Sequence, residues 1–254
     1  MCDSCVFAYK KGMPPDPNGT PYTVLVVDDD QRLRHLVEVI LKSNGFKVEF
    51  AEDGDALLPM VRHHRPDLVL LDVNMVRRSG LEALRELRSA GEEVGVVMLS
   101  AAGEEALVLA AFEAGADDYI TKPFLVRVLL ARVRAILRRS LRPGDVETAV
   151  EASGVMVDPL THYATVEGRR VALSPREYEL LRTLIRGSGR VFTSDELLER
   201  VWGPAYVGQD EIVRANIYRL RQKLEPQPSA PRYILGRRGV GYYLTGRVAD
   251  AAPT

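Results

Sequence analysis

The stretch Val24-Leu25-Val26-Val27-Asp28-Asp29-Asp30 decides the fold of the first half of the chain. Four consecutive apolar residues predict a buried strand, and three aspartates follow it directly. Open α/β sheets build their sites at the carboxyl ends of parallel strands. This stretch therefore predicts a parallel sheet with carboxylates clustered at one edge.

Three further apolar segments also end at polar side chains. They cover residues 68–71, 94–99 and 119–121, and the residues that follow them are Asp72, Ser100 and Lys122. If these strand ends meet, the carboxylates of Asp28, Asp29 and Asp72 converge with a hydroxyl and an ammonium. Carboxylate oxygens suit Mg²⁺, and phosphoryl transfer depends mainly on positioning and charge neutralisation. The pattern predicts a magnesium site that supports phosphoryl transfer.

Strand and helix signals alternate from residue 24 to residue 139, which predicts an α/β doubly wound, five-stranded parallel sheet with five helices. The second half instead has short alternating stretches, two capped helices, a helix at 210–224 and a hairpin at 233–244. That order predicts a winged helix-turn-helix α+β domain. The predicted organisation is an N-terminal extension at 1–21, a first domain at 22–139, a linker at 140–153, a second domain at 154–248 and a tail at 249–254.

Charge is distributed unevenly along the 254 residues, although the net charge is only −1. Residues 1–139 hold 18 Lys/Arg against 21 Asp/Glu, and residues 140–254 hold 16 against 14. From Arg214 to Arg238 there are seven basic residues and one acid, Glu225. A local basic surface of this kind favours a polyanionic partner.

The remaining composition is that of a globular protein, with 46% hydrophobic and 27% charged residues. No stretch has the 18 or so apolar residues of a membrane span, and no apolar signal core begins the chain. We therefore expect a cytoplasmic protein without a membrane partner. The two cysteines, Cys2 and Cys5, have the spacing of a zinc or redox pair, but a flexible tail is favoured because no second ligand pair is adjacent.

The helix at 210–224 carries an apolar stripe of Val213, Ile217, Leu220 and Leu224, which is expected to face the core. Its polar surface suits a DNA major groove, and a basic hairpin tip follows it. The residues predicted to contact DNA are Arg214, Asn216, Tyr218, Arg219, Arg221, Gln222, Lys223, Arg237 and Arg238. A basic helix face exposed only to solvent is the alternative.

The chain resembles the OmpR/PhoB family of two-component response regulators over residues 22–248. The motifs that carry this resemblance are Val26-Val27-Asp28-Asp29-Asp30, Leu70-Leu71-Asp72, Met98-Leu99-Ser100-Ala101, residues 115–124, Ile217-Tyr218-Arg219-Leu220-Arg221 and Arg238-Gly239-Val240-Gly241-Tyr242. It implies a CheY/flavodoxin-like receiver domain followed by a winged-helix effector. It also implies a sensor histidine kinase, promoter DNA, a second copy of the chain and RNA polymerase, the last at residues 203–209, as partners.

The resemblance also assigns roles to the residues at the sheet edge. Asp72 is the implied phosphoacceptor, and Asp29 and the Asn74 carbonyl complete direct Mg²⁺ coordination, with Asp28 acting mainly through water. Ser100 and Tyr119 are the implied switch residues. A cis peptide before Pro123 aims Lys122 inward. The only reaction implied is transfer of a phosphoryl group to the protein's own aspartate, so the chain is not otherwise an enzyme.

Three parts of the sequence depart from the family pattern. Val76 stands where proline is usual, and Glu211 and Tyr218 stand where relatives often carry arginine. The dimerising surface of the family, formed by the fourth helix, fifth strand and fifth helix, is unusually apolar here at residues 105–112. We hypothesise that the dimer rests on apolar contacts; the residues involved are Leu107, Val108 and Val128, with Asp118 and Arg132 as one ion pair. That these apolar residues belong only to the core is the alternative.

Two other functions compete with a phosphorylation-switched regulator. One is a DNA-binding regulator whose receiver dimerises constitutively and needs no phosphorylation. The other is an aspartyl-phosphate phosphatase, which also uses a strand-terminal aspartate with Mg²⁺. Such enzymes need a second acid two residues after the nucleophile, and this chain has Asn74 there.

Overall fold

The computed structural model describes residues 19–101, 105–137, 150–159, 161–187 and 189–245. The chain divides into two compact units, Met1–Gly144 and Asp145–Thr254. Cys2, Cys5, the tail at 249–254 and most of the predicted extension and linker lie outside the described residues.

The first domain alternates strands with helices, as the sequence predicts. Its elements are β1 Thr23–Val27, α1 Gln31–Lys42, β2 Lys47–Ala51, a 3₁₀ turn at Gly54–Ala56, α2 Leu57–His64, β3 Leu68–Asp72, α3 Gly80–Ser89, β4 Gly95–Ala101, α4 Glu105–Ala114, β5 Asp118–Lys122 and α5 Val126–Leu137. The strands form one parallel sheet in the order β2-β1-β3-β4-β5. Five strands and five helices confirm the predicted doubly wound fold.

Alternating strand residues supply two separate cores, because successive side chains of a strand point to opposite faces of the sheet. On one face, Val24 and Val26 pack with the buried residues of α1 and α5. On the other face, Leu25 and Val27 pack with the buried residues of α2, α3 and α4. Both faces of the sheet are therefore covered, which leaves the strand ends as the place where polar groups can gather.

Asp30, the third aspartate of the opening motif, has a structural role. Its side chain accepts hydrogen bonds from the backbone N–H groups of Arg32 and Leu33 at 2.8 and 3.3 Å. It is the N-cap of α1, where it satisfies donors that have no partner inside the helix. The run of three aspartates thus divides into two residues for the site and one for the helix that follows.

The second domain combines antiparallel strands with three helices. Its elements are β6 Val150–Ala152, β7 Val155–Val157, β8 Tyr163–Val166, β9 Arg169–Ala172, α6 Pro175–Arg186, β10 Phe192–Thr193, α7 Ser194–Val201, a 3₁₀ turn at Pro204–Tyr206, α8 Asp210–Leu224, β11 Ile234–Arg237 and β12 Gly241–Leu244. The strands form a four-stranded sheet, β6-β7-β8-β9, and a three-stranded sheet, β10-β12-β11. This is the predicted winged-helix order. Strand β6 lies inside the segment predicted as linker. It pairs with β7, from Val150 opposite Val157 to Ala152 opposite Val155, and this hairpin is too short to show periodicity in the sequence.

A buried carboxylate joins α6 to α8. Glu177 is fully buried and accepts a hydrogen bond from the Ser174 N–H at 2.9 Å, which completes a capping box. Its carboxylate also pairs with Arg219 at 2.9 Å and Lys223 at 2.6 Å. Burial raises the pKa of Glu177, but the Arg219 guanidinium and the Lys223 ammonium outweigh burial and hold that pKa below its ordinary value.

Among the described residues, no helix is both long enough and apolar enough to cross a bilayer. The longest helix described, α8, has 15 residues.

Replacing Glu177 by glutamine should destabilise the second domain by about 3–5 kcal/mol, because two largely buried cations lose their counter-charge. Urea unfolding followed by the fluorescence of Trp202 measures this, since Trp202 is the only tryptophan in the sequence and is buried in this domain. Because the pKa of Glu177 is lowered on folding, its contribution is complete above about pH 4.3. The difference between wild type and variant should shrink as the pH falls below that value.

The matched control is Glu211→Gln, which removes an exposed carboxylate from α8. Exposed ion pairs contribute about 0–1 kcal/mol, so this variant should unfold close to wild type. Equal destabilisation by the two variants would contradict the role given to Glu177.

Candidate functional site

The acidic side chains that end β1 and β3 converge at the carboxyl edge of the parallel sheet. Asp28 and Asp72 are buried, whereas Asp29 is exposed. One carboxylate oxygen from each of the three lies within 4.8 Å of the others. The register explains this convergence, since Val27 pairs with Leu71 on the neighbouring strand.

Lys122 reaches into this cluster from the end of β5. The peptide bond between Lys122 and Pro123 is cis, as expected from the resemblance. Its Nζ donates to Asp28 Oδ2 at 2.8 Å and to Asp72 Oδ1 at 2.7 Å. One ammonium therefore holds two carboxylates that would otherwise repel each other.

The protonation equilibria of this pair follow from burial and charge. Burial raises the pKa of Asp72 above its ordinary value, and the hydrogen bond and charge of Lys122 offset this only in part. Burial lowers the pKa of Lys122, but its hydrogen bonds with Asp28 and Asp72 outweigh burial and raise that pKa overall. The site is thus a place where additional positive charge is favourable.

Backbone donors position the two aspartates that follow β1. Asp28 Oδ1 accepts from the Asp30 N–H at 2.9 Å, and Asp29 Oδ2 accepts from the Val76 N–H at 2.9 Å. Proline has no N–H, so valine at position 76 supplies a contact that the residue usual in this family does not. The departure at Val76 therefore affects the position of an acidic side chain of the cluster directly.

The donor set of this cluster fits a magnesium ion. All three side chains offer carboxylate oxygens, which Mg²⁺ prefers, and the exposure of Asp29 leaves room for the waters that this ion retains. Asn74 is exposed in the loop directly after Asp72, where its backbone carbonyl could complete the set.

The two implied switch residues lie on β4 and β5. Ser100 is buried one position beyond Leu99, which pairs with Asp72, and its Oγ has no hydrogen-bond partner among the described residues. Tyr119 is half-buried, and its ring meets that of Phe112 on α4 edge-on at 5.9 Å. A hydroxyl at the site and an aromatic ring against α4 are thus placed on adjacent strands.

Gly80 is a residue of this site that sequence reasoning missed. A Cβ atom at Gly80 would lie 1.9 Å from the backbone carbonyl oxygen of Asp72, so any side chain would displace the end of β3. Its N–H donates to the Val73 carbonyl at 3.0 Å. The dipeptide Ser79-Gly80 could have indicated this close approach, because the N-cap serine of α3 is followed by glycine, which has no Cβ.

On the second domain, the structure corrects the predicted outward face of α8. The exposed side chains along the helix are Glu211, Arg214, Tyr218 and Gln222. Asn216 is buried, and its Nδ2 donates to the Ile212 carbonyl at 2.8 Å, so its prediction as a DNA contact was wrong. The buried stripe includes Ile212 and Asn216 as well as the apolar residues expected, and this rotates the exposed face.

Three other residues predicted to contact DNA have partners within the domain. Arg219 and Lys223 are largely buried beside Glu177. Arg221 donates twice to the Ile234 carbonyl, at 3.0 and 2.9 Å. Basic residues on this helix thus connect it to α6 and to the hairpin, which a pattern based on charge alone does not reveal.

Arg237 and Arg238 are exposed at the tip of the hairpin, as predicted. The hairpin is anchored by Glu225, which is buried and accepts from the N–H groups of Arg232, Tyr233 and Ile234 at 2.6–3.1 Å. The one acid in the basic stretch is therefore structural. Residues of both α8 and the hairpin, among them Arg214, Arg237 and Tyr242, line a cleft of ≈ 770 Å³.

The residues predicted for dimerisation fall into two groups. Leu107 packs against the core of the first domain, as the alternative interpretation allows. Val108 and Val128 are only half-buried and are not among the residues that pack against either core of the domain. Asp118 Oδ2 and Arg132 Nη1 lie 3.7 Å apart within the same domain.

Comparison with known proteins agrees with this division into two domains. The family model for the response regulator receiver domain matches residues 24–134, and that for the C-terminal domain of transcriptional regulatory proteins matches residues 168–244. A RitR variant, in which a cysteine is replaced by aspartate, is 28% identical; the match covers 89% of this chain and 99% of that one, with a TM-score of 0.70.

A second solved structure is the response regulator DrrB from Thermotoga maritima, an OmpR/PhoB homologue. It is 32% identical, and the match covers 89% of this chain and 100% of that one, with a TM-score of 0.47. With the strand order, the acidic cluster and these matches in hand, we conclude that the chain belongs to the OmpR/PhoB family of two-component response regulators and carries a receiver domain and a DNA-binding domain.

Proposed function

We propose that this response regulator accepts a phosphoryl group on Asp72 from a sensor histidine kinase and then binds promoter DNA as a dimer to regulate transcription. The observation that carries the proposal is the convergence of Asp28, Asp29, Asp72 and Lys122 at one sheet edge. Apart from phosphorylation of its own aspartate, the protein performs no reaction.

Asp72 is the nucleophile in the proposed transfer. One of its carboxylate oxygens forms a bond to phosphorus as the bond between phosphorus and the kinase histidine nitrogen breaks, and the histidine leaves with its electron pair. Lys122 already contacts Asp72 Oδ1, so its ammonium is placed to stabilise the incoming phosphoryl oxygens. A bound magnesium ion would supply the charge neutralisation that lets a carboxylate approach a phosphoryl group. Asp28, Asp29, Asp72 and the Asn74 carbonyl would hold it.

The exposed apolar side chains near the acidic cluster favour docking of a partner protein there. Val76 lies in the loop after β3 and is 90% exposed, and Leu125 lies in the loop after β5. Leu36 on α1 is also exposed. Apolar side chains around a polar site are typical of protein interfaces. We propose that the kinase domain carrying the phosphohistidine contacts these residues.

Ser100 and Tyr119 would transmit the phosphorylated state to the surface formed by α4, β5 and α5. The unpartnered Ser100 hydroxyl can donate to a phosphoryl oxygen, and the Tyr119 ring can change its packing against Phe112. Val108 and Val128 would then form the centre of a dimer contact. Dimerisation raises the local concentration of two DNA-binding domains on paired half-sites.

The exposed face of α8 is proposed to enter the major groove, with Arg237 and Arg238 contacting the adjacent backbone or minor groove. Tyr218 and Gln222 lie at the centre of that face. Exposed residues at 204, 205 and 207, around the 3₁₀ turn Pro204–Tyr206, form the surface proposed for RNA polymerase.

Three alternatives are less well supported. A phosphatase lacks its second acid, since Asn74 stands two residues after Asp72. A regulator that needs no phosphorylation would not require the acidic cluster. Control through a cysteine within either domain is not favoured, because this chain has no cysteine after position 5.

Incubation with Mg²⁺ and acetyl phosphate should add the mass of one phosphoryl group to the protein. Asp72→Asn should abolish this addition, and omission of Mg²⁺ or Asp29→Asn should strongly reduce it, because the carboxylate then lacks charge neutralisation. Intact-mass spectrometry gives the measurement. The matched control is Asp30→Asn, which retains a good N-cap and should be phosphorylated normally. Phosphorylation of Asp72→Asn would refute the assignment.

Gln222 should discriminate between bases, since glutamine can pair with two atoms of adenine in the major groove. After selection of a preferred operator from random DNA, Gln222→Ala should weaken binding to that operator by about 1–3 kcal/mol and leave binding to random DNA unchanged. Gln227→Ala, which truncates an exposed glutamine beyond the end of α8, is the control and should have no effect. Equal losses on both DNAs would argue against base recognition by Gln222.

The phosphorylated receiver should form a dimer that persists as salt is raised, because apolar contacts are not screened. Sedimentation of the phosphorylated protein should show that Val108→Asp is a monomer, whereas Glu113→Gln, on the same helix, remains dimeric. A dimer that dissociates in high salt and survives Val108→Asp would show that ion pairs hold it instead.

A further inference from the structure

The cationic side chains on α8 all have partners within the domain. Of the four, Arg219 and Lys223 pair with Glu177, and Arg214 pairs with Glu211. The fourth, Arg221, donates to a backbone carbonyl of the hairpin. On the exposed face proposed to enter the groove, the only charged side chains are Glu211 and Arg214, so that face presents little uncompensated positive charge.

The Glu211–Arg214 pair differs from the Glu177 cluster because it lies on the exposed face. Its side chains are 56% and 59% exposed, so burial does not explain why they meet. Glu211 belongs to the first turn of α8, where the helix dipole favours a carboxylate. The N-terminal residues of a recognition helix contact base edges, and a carboxylate there repels the phosphate backbone.

The geometry of the pair leaves Arg214 able to form hydrogen bonds to a base. Arg214 Nη1 lies 3.0 Å from Glu211 Oε1 and 3.2 Å from Oε2, so one guanidinium nitrogen serves both carboxylate oxygens. These bonds do not use the donors on Nε and Nη2. The guanidinium is thus neutralised as a charge while it keeps donors that suit guanine O6 and N7.

We propose that Glu211 determines specificity by neutralising Arg214 against the phosphate backbone, so that Arg214 contributes to DNA binding through hydrogen bonds to bases. This inference rests on the proposed entry of the exposed α8 face into the groove. A neutral pair releases no counterions on binding and adds nothing to the affinity for arbitrary sequences.

The salt-dependent affinity then comes from elsewhere in the domain. Arg237 and Arg238 are exposed at the hairpin tip, and none of the ion pairs found among the described residues involves either of them. We assign to these two arginines the contacts with phosphate that any DNA sequence offers. The two functions, general affinity and base discrimination, are thereby placed on separate elements.

A double-mutant cycle on the full-length protein tests the proposal, with fluorescence anisotropy on a random-sequence duplex over a range of salt. Glu211→Gln should bind about fivefold tighter at low salt, with a salt slope steeper by about one, because the freed guanidinium gains a phosphate contact. Arg214→Ala should bind more weakly than wild type, because Glu211 is left uncompensated. The double variant should return close to wild type.

Two controls accompany this cycle. Glu151→Gln removes an exposed carboxylate on β6 and should leave the salt slope unchanged. Arg238→Ala should reduce the slope by about one, as loss of a phosphate contact requires. Fluorescence of Trp202 checks that each variant is folded.

The inference is overturned if Glu211→Gln binds random DNA no more tightly than wild type, or if the double variant binds random DNA as tightly as Glu211→Gln alone. If both Arg214→Ala and Arg238→Ala bind DNA normally, the proposed DNA surface itself is rejected. The basis of this inference is then removed as well.

Discussion

The receiver domain depends on one ammonium shared between two carboxylates. Asp28 and Asp72 are buried at the ends of neighbouring strands, and like charges in a medium of low polarity repel strongly. Lys122 lies within hydrogen-bond distance of both and offsets that repulsion. The cost of the arrangement is still visible in the raised pKa of Asp72, which shows that burial exceeds the compensation that Lys122 provides. Because these two carboxylates are buried and only partly compensated, binding of a further positive charge beside them is favourable.

The rest of the receiver can be understood as the means of holding this arrangement in place. Apolar residues on both faces of β1 and β3 bury the strands completely, so their ends cannot shift independently. Asp30 fixes the start of α1 immediately after the acidic pair. Gly80 lets α3 begin in contact with the carbonyl of Asp72. Each of these features positions backbone next to the acidic side chains rather than the side chains themselves.

The sequence predicts the receiver domain more completely than it predicts the DNA-binding surface. Four of the five strands of the parallel sheet end at a site residue or within one residue of it, so the sequence pattern predicts Asp72, Ser100 and Lys122 at one edge. No comparable rule assigns the basic residues of α8. Arg219 and Lys223 turn inward because they pair with the buried Glu177. That residue lies 42 positions before Arg219 in the chain, so a local sequence pattern cannot predict these ion pairs. The helical turn predicts Asn216 beside the outward face, yet its Nδ2 donates to the Ile212 carbonyl of the same helix and its side chain joins the buried stripe.

The same kind of charge compensation within ion pairs occurs in each of the two domains. In the receiver, Lys122 partly offsets the charges of Asp28 and Asp72, and the proposed phosphorylation would bring phosphate and further positive charge to the same site. On α8, Glu211 balances Arg214 in the same way, but at an exposed position where water screens the pair. An exposed pair can take on a further partner, since the Nε and Nη2 donors of Arg214 can bind a base while Glu211 stays on Nη1. A buried cluster such as that of Glu177 cannot respond in this way, because separating it would leave charges without water. The degree of exposure therefore separates ion pairs that hold the fold from ion pairs that can respond to a ligand.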